Sequence, residues 1–277
     1  MIQYTFKIFK AIVYTIRPYA VLGACLLVLA AFNPEGDEWN EMISLVMATF
    51  FGSAYCFLLN DIFDRKKDLL NDKRRPLATG ELPVSIALFM VVLFALVFIT
   101  SSWFLGMLPF LLSFVFIGIT SIYSLVNVKT GLMANVIVAF VVSGTQWGVA
   151  LIKPDEVLWA SSVFLFFYTI PREILLDWLD IKGDKAYGKR SAPINYSLKA
   201  VMGIIVLSLA FASLSIIAIV YLDLSSKPSV LLATVTFFST WLSFSPFFKK
   251  PSHRSALLSV RWSHVTFVLL IFTLISR

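Results

Sequence analysis

Residues 41–68 read EMISLVMATFFGSAYCFLLNDIFDRKKD. From Met42 to Leu59 there is no charged side chain, and then Asp61, Asp64 and Asp68 follow in quick succession. An uncharged run of about 20 residues is the length of helix that crosses about 30 Å of hydrocarbon. An acidic cluster placed at the end of such a run is costly unless something neutralises it.

The rest of the chain repeats the apolar half of this pattern. Of 277 residues, 59% are hydrophobic and 14% charged, with a mean hydropathy of +0.86. Soluble domains run about 45–50% apolar and about 25% charged, and a soluble fold of this size could not bury so much apolar surface. A soluble enzyme, a nucleic-acid-binding domain and a disordered chain are thereby excluded. Cys25 and Cys56 lie inside apolar runs and read as small buried hydrophobes, not as a disulfide or metal pair. The start, MIQYTFKIFKAIVYTIRPYA, shows no small-residue cleavage site and runs on into a span.

Hydropathy places nine spans, at 12–32, 41–60, 83–103, 106–126, 132–152, 157–179, 199–222, 229–248 and 256–275. The expected fold is an all-α membrane protein of one domain over 1–277: nine transmembrane helices bundled around a central cavity, with the polar site at the cytoplasmic face. Two connections are long and polar, 61–82 and 180–198. With the N-terminus on one side, 19 of the 23 Lys and Arg fall on that face; Lys153, Lys227 and Arg277 fall on the other, and Arg172 lies within a span. The excess of cations puts the N-terminus and both long loops in the cytoplasm and the C-terminus on the opposite side.

Six of the ten Asp fall into two matching patterns, Asp61-x-x-Asp64-x-x-x-Asp68 and Asp177-x-x-Asp180-x-x-x-Asp184. On a helix, positions i, i+3 and i+7 lie within about 60° of one another, so each trio predicts one acidic stripe, extended by Glu173 in the second. Facing stripes would hold two or more Mg²⁺ around a diphosphate, because this hard ion takes one or two carboxylates together with phosphate oxygens and water. The spacing does not fit an EF-hand loop. The repeat continues past the acids: each first Asp is followed by a basic pair, Arg74-Arg75 or Lys189-Arg190, and then by Pro76 or Pro193. Basic side chains there suit an anionic ligand.

Asn60 through Asp68, NDIFDRKKD, resembles the first motif of the UbiA superfamily of intramembrane prenyltransferases, and DWLDIKGDKAYG at 177–188 resembles the second. Arg17-Pro18, Arg75-Pro76-Leu77 with Gly80, Tyr123-Ser124 with Lys129, and Gly131 with Asn135 are similar to further family positions. The resemblance implies that Asn60, Asp61, Asp64 and Asp68 hold Mg²⁺ on one side of an isoprenoid diphosphate and Asp177, Asp180 and Asp184 on the other. Asp61, Asp64, Asp177 and Asp180 form its catalytic set. It also implies that Arg75, Tyr123, Lys129 and Lys182 contact substrate and that Arg17 faces the diphosphate or the acceptor. The implied reaction moves an isoprenoid chain from its diphosphate to a lipophilic acceptor within the bilayer. An aromatic ring is the first acceptor reading and a glycerol-phosphate lipid hydroxyl the second, since Arg172-Glu173-Ile174 resembles the branch that alkylates such lipids. A membrane terpene cyclase on the same scaffold is a further alternative. A transporter would need ionisable groups near the midplane, whereas nearly all charges here cluster at one face. His253 and His264 have no acidic or Cys neighbour in sequence and are read as a loop residue and a packing residue.

The charge asymmetry is testable in intact cells. An impermeant thiol reagent is expected to spare Asp72→Cys and to label Ser276→Cys; the reverse pattern would invert the topology.

Overall fold

The computed structural model describes residues 2–34, 38–71, 73–126 and 131–277, which are helices and connections with no strand among them. The helices gather into two compact units, Met1–Leu29 with Pro34–Asn127 and Ala30–Asn33 with Val128–Arg277.

The first unit contains α1 (Ile2–Thr15), most of α2 (Pro18–Phe32), α3 (Trp39–Leu70), α4 (Pro76–Thr79), α5 (Val84–Trp103) and α6 (Met107–Val126). Proline disfavours helical backbone in the residue before it, so the chain breaks at Arg17, which adopts φ 54°. The two flanking helices meet there at a 53° bend. At 15 residues, α2 is about 22 Å long, short of the hydrocarbon thickness; only together with α1 does it make a span. The 32 residues of α3 extend about 48 Å, so the segment read as the start of a polar loop at Asp61 is the continuation of the helix. Its inner face, Ala54, Tyr55 and Leu58, packs on Ala87, Val91 and Phe94 of α5 and Leu77 of α4. Gly52 lets Phe98 approach closely: a Cβ there would lie 3.2 Å from the ring.

The second unit contains α7 (Leu132–Ile152), α8 (Glu156–Leu179), α9 (Ile181–Tyr187), α10 (Ala192–Asn195), α11 (Leu198–Leu222), α12 (Lys227–Lys249) and α13 (His253–Ile275). Helix α8 is its hub, packed on α7, α11 and α13. Asp155 caps it, accepting from the N–H groups of Val157 at 2.7 Å and Leu158 at 3.2 Å. Polarity is inverted relative to a soluble bundle. Thr236, Thr240, Ser259, Ser263 and Thr266 are fully buried, whereas Leu207, Leu214, Leu231 and Leu242 point outward. Small hydroxyl residues let helices approach and bond across, as Ser243 does with Thr266 at 2.9 Å; outward leucines suit a lipid solvent.

Among the described residues seven helices are long and apolar enough to cross a membrane, eight if the bent α1–α2 pair counts as one. The nine expected spans are therefore not all recovered. The missing one is α8, whose apolar run is broken by Arg172 and Glu173.

Gly131, at φ 57°, ψ −131°, starts α7, in a region that side chains rarely adopt. A Cβ there would also stand 3.3 Å from the Arg190 carbonyl oxygen. Gly131→Ala is expected to lower stability by about 1–3 kcal/mol. Gly203→Ala, with open space around it on α11, should cost nothing. Thermal unfolding in detergent distinguishes the two.

Candidate active site

The first motif forms the buried stripe that its spacing predicts. Asp61, Asp64 and Asp68 are 2%, 6% and 1% exposed, while Arg65 and Lys66 between them face outward. Three carboxylates so placed repel one another and lose hydration, and three cations answer them. Arg17 donates from Nη2 to Asp61 Oδ1 at 2.8 Å. Its guanidinium also stacks over the Phe57 ring at 4.6 Å. Lys67 Nζ donates to Asp64 Oδ2 at 2.6 Å, an oxygen that also accepts from Asn60 Nδ2 at 3.1 Å. Arg75 Nη1 donates to Asp61 Oδ1 and lies 3.0 Å from Asp68 Oδ2. The turn after α3, closed by the Lys73 N–H donating to the Asp68 carbonyl at 2.9 Å, brings Arg75 back under the stripe.

The second motif departs from the expected single stripe. Backbone at φ −96°, ψ 1° on Asp180 ends α8 and starts α9. Asp177 and Asp184 stay buried, and Asp180 is only half-buried. Asp177 accepts from Lys189 Nζ at 2.7 Å on Oδ1 and from Asn135 Nδ2 at 2.8 Å on Oδ2. Lys189 Nζ also stands 3.3 Å from Asp184 Oδ2. Left-handed Gly188 closes α9, and the Lys189 N–H donates to the Asp184 carbonyl at 2.8 Å, the same five-residue return seen after Asp68.

Each unit thus builds the same device. One cation from the returning turn, Arg75 or Lys189, bridges the first and third aspartates. A second donor reaches the first aspartate from the start of the preceding helix, Arg17 before α2 or Asn135 in α7. A short helix with proline in its first turn follows, α4 or α10. The sequence reading missed Lys67 as a site member, and gave Lys189 only as part of a basic pair and Asn135 only as a family position. Lys182, expected to contact substrate, is exposed on α9, because the helical phase of α9 turns it away from Asp184. Tyr123 is half-buried near the end of α6, and Lys129 lies outside the described residues.

Among the described residues no three His, Cys, Asp or Glu side chains converge as a ready-made metal cage. Some oxygens at the clusters are buried without a hydrogen-bond donor, notably Asn135 Oδ1 and Asp68 Oδ1.

The chain is a membrane-embedded enzyme of the prenyl-transferring class. The UbiA prenyltransferase family profile matches residues 21–270, and the chain belongs to that family. It is 28% identical over 233 residues to the digeranylgeranylglyceryl phosphate synthase of Methanothermobacter thermautotrophicus, covering 80% of each chain. It is 26% identical over 198 residues to the synthase of the same name from Sulfurisphaera tokodaii, covering 69% of this chain and 71% of that one. Its fold is similar to that of a UbiA homologue from Aeropyrum pernix K1, with a TM-score of 0.73 at 19% identity over 95% and 98% of the two chains. A UbiA homologue from Archaeoglobus fulgidus, solved with GPP and Mg²⁺ bound, gives 0.69 at 16% identity over 96% and 100%.

Removing one partner of a buried ion pair typically costs about 3–5 kcal/mol. Lys189→Ala is therefore expected to destabilise the ligand-free protein by about 3 kcal/mol, and Lys182→Ala by less than about 0.5 kcal/mol. Unfolding midpoints of the two variants measure the difference.

Proposed function

We propose that this protein transfers a geranylgeranyl chain from its diphosphate to the hydroxyl of a glycerol-phosphate lipid, with Mg²⁺ as cofactor. The observation that carries the reading is the name shared by its curated relatives, digeranylgeranylglyceryl phosphate synthase, set beside the aspartate motifs. It favours the lipid hydroxyl over the aromatic ring expected first from sequence, and Arg172-Glu173-Ile174 agrees with it.

The donor set fits Mg²⁺. It is made of hard oxygens, and the absence of a three-residue cage among the described residues suits an ion that takes one or two carboxylates plus substrate oxygens and water. Asn60, Asp61, Asp64 and Asp68 would hold it in one cluster; Asp177, Asp180 and Asp184 would hold it in the other. When bound, it neutralises the leaving diphosphate as a Lewis acid. Each cluster is assigned a part in releasing the diphosphate, and both units belong to one catalytic domain.

The protein's own groups do the remaining work. Arg17, Lys67 and Arg75 pair with the first trio, and Lys189 pairs with Asp177 and Asp184. With diphosphate bound, Arg17, Lys67, Arg75 and Lys189 would donate to its oxygens as negative charge builds on them. The family resemblance assigns Tyr123 a contact to the same group. Apolar helices keep water from the allylic carbon. The acceptor oxygen bonds to that carbon, the carbon–oxygen bond to diphosphate breaks with its electron pair, and the hydroxyl proton is lost. Both motifs and the N-terminus face the cytoplasm, a placement supported by the bias of basic residues.

Purified protein supplied with geranylgeranyl diphosphate and geranylgeranylglyceryl phosphate should yield digeranylgeranylglyceryl phosphate by mass spectrometry. EDTA should abolish the product and excess Mg²⁺ restore it. A prenylated aromatic made in preference, full turnover after chelation, or a cyclic hydrocarbon formed without acceptor would overturn the reading.

A further inference from the structure

The two clusters differ in where their carboxamide comes from. In the first, Asn60 stands next to Asp61 on the motif helix and donates to Asp64. In the second, the equivalent position is Leu176, which cannot play that part. Asn135 stands in its place, reaching Asp177 from α7 across a sequence separation of 42 residues. Its placement is fixed from below: Gly131, four residues earlier, opens α7 against the Arg190 carbonyl oxygen and Asn195.

The orientation of this amide is dictated by its partner. An ionised carboxylate only accepts hydrogen bonds, so the NH₂ of Asn135 must point at Asp177, which leaves its Oδ1 outside that bond. That oxygen is buried and accepts no hydrogen bond, on a residue only 4% exposed. Buried polar groups in native proteins almost always find partners, and this unpartnered oxygen stands beside the carboxylates of the second cluster. A hard, uncharged oxygen left without a donor beside a carboxylate is a divalent-cation ligand in waiting.

We propose that Asn135 is the carboxamide ligand of the second cluster, binding through Oδ1 the Mg²⁺ that Asp177 helps to hold. The inference rests on the proposed function only in taking the clusters as divalent-metal sites; the identity of the acceptor does not enter.

Titration of the detergent-solubilised protein with Mn²⁺ in the presence of inorganic diphosphate, followed by electron paramagnetic resonance, tests it without reference to turnover. Asn135→Leu is expected to weaken Mn²⁺ binding by about tenfold or more, on the scale of losing a close metal partner. Asn135→Asp, which keeps an oxygen and loses the donor, should bind Mn²⁺ at least as well as the wild type. Wild-type affinity in a folded Asn135→Leu protein would overturn the proposal. So would a loss in Asn135→Asp equal to that in Asn135→Leu, which would mean that the bond to Asp177 alone matters. If Asn135→Leu does not fold, Asn135→Asp against wild type decides. No Mn²⁺ binding by the wild type would instead overturn the metal reading itself, and this assignment with it.

Discussion

Six aspartates at the ends of apolar helices are what this protein must accommodate. Moving a carboxylate out of water costs several kcal/mol even after relaxation, on the order of 20 kcal/mol in the idealised limit. Each cluster meets that cost with cations placed inside it, and the placement is not left to flexible surface side chains. Arg75 and Lys189 arrive from turns whose backbone hydrogen bonds close onto the third aspartate of each motif. Their positions are as well defined as the helices that they leave.

Much of the remaining architecture reads as support for these pairs. Because α3 keeps its helical phase beyond the end of its apolar run, Asp61, Asp64 and Asp68 share one buried face. The break before Pro18 bends the first span where Arg17 can reach Asp61, at the expense of a left-handed backbone at a residue with a side chain. Such strain persists only where surrounding contacts hold it, and here an ion pair and an aromatic face do so. In the second unit the same position, at the start of the preceding helix, is taken by Gly131 and Asn135. One design is thus executed twice with different residues: arginine and asparagine as the leading donor, arginine and lysine as the bridge.

What could be read in advance divides along the same lines. Spans, stripe and repeat were legible because each depends on local periodicity and spacing. The phase of a helix also distinguishes Lys67 from Arg65 and Lys66, since it falls beside Asp64 and Asp68 on the buried face. Lys182 lies inside the second motif, yet Gly188 is the residue that turns the chain back and so brings Lys189 to the cluster. The second trio straddles two helices because α8 ends at Asp180, a change of a few tens of degrees in one residue that spacing does not reveal. Asn135 owes its role to packing between α7 and α8 and had no local signal beyond its resemblance to a family position. α8 escapes a simple hydropathy count for the reason that makes it interesting: Arg172 and Glu173 interrupt it just before the acids.

Whether the two clusters serve one diphosphate is measured most directly by the turnover of Asp64→Ala, Asp180→Ala and the double variant. Groups that act as a unit are strongly non-additive, and losing a key electrostatic stabiliser costs about 10²–10³ in kcat. Each single variant should therefore fall by about 10² or more, with the double variant little worse than the poorer single. Near-wild-type kcat from a folded Asp180→Ala protein would contradict this, as would losses that simply multiply in the double variant.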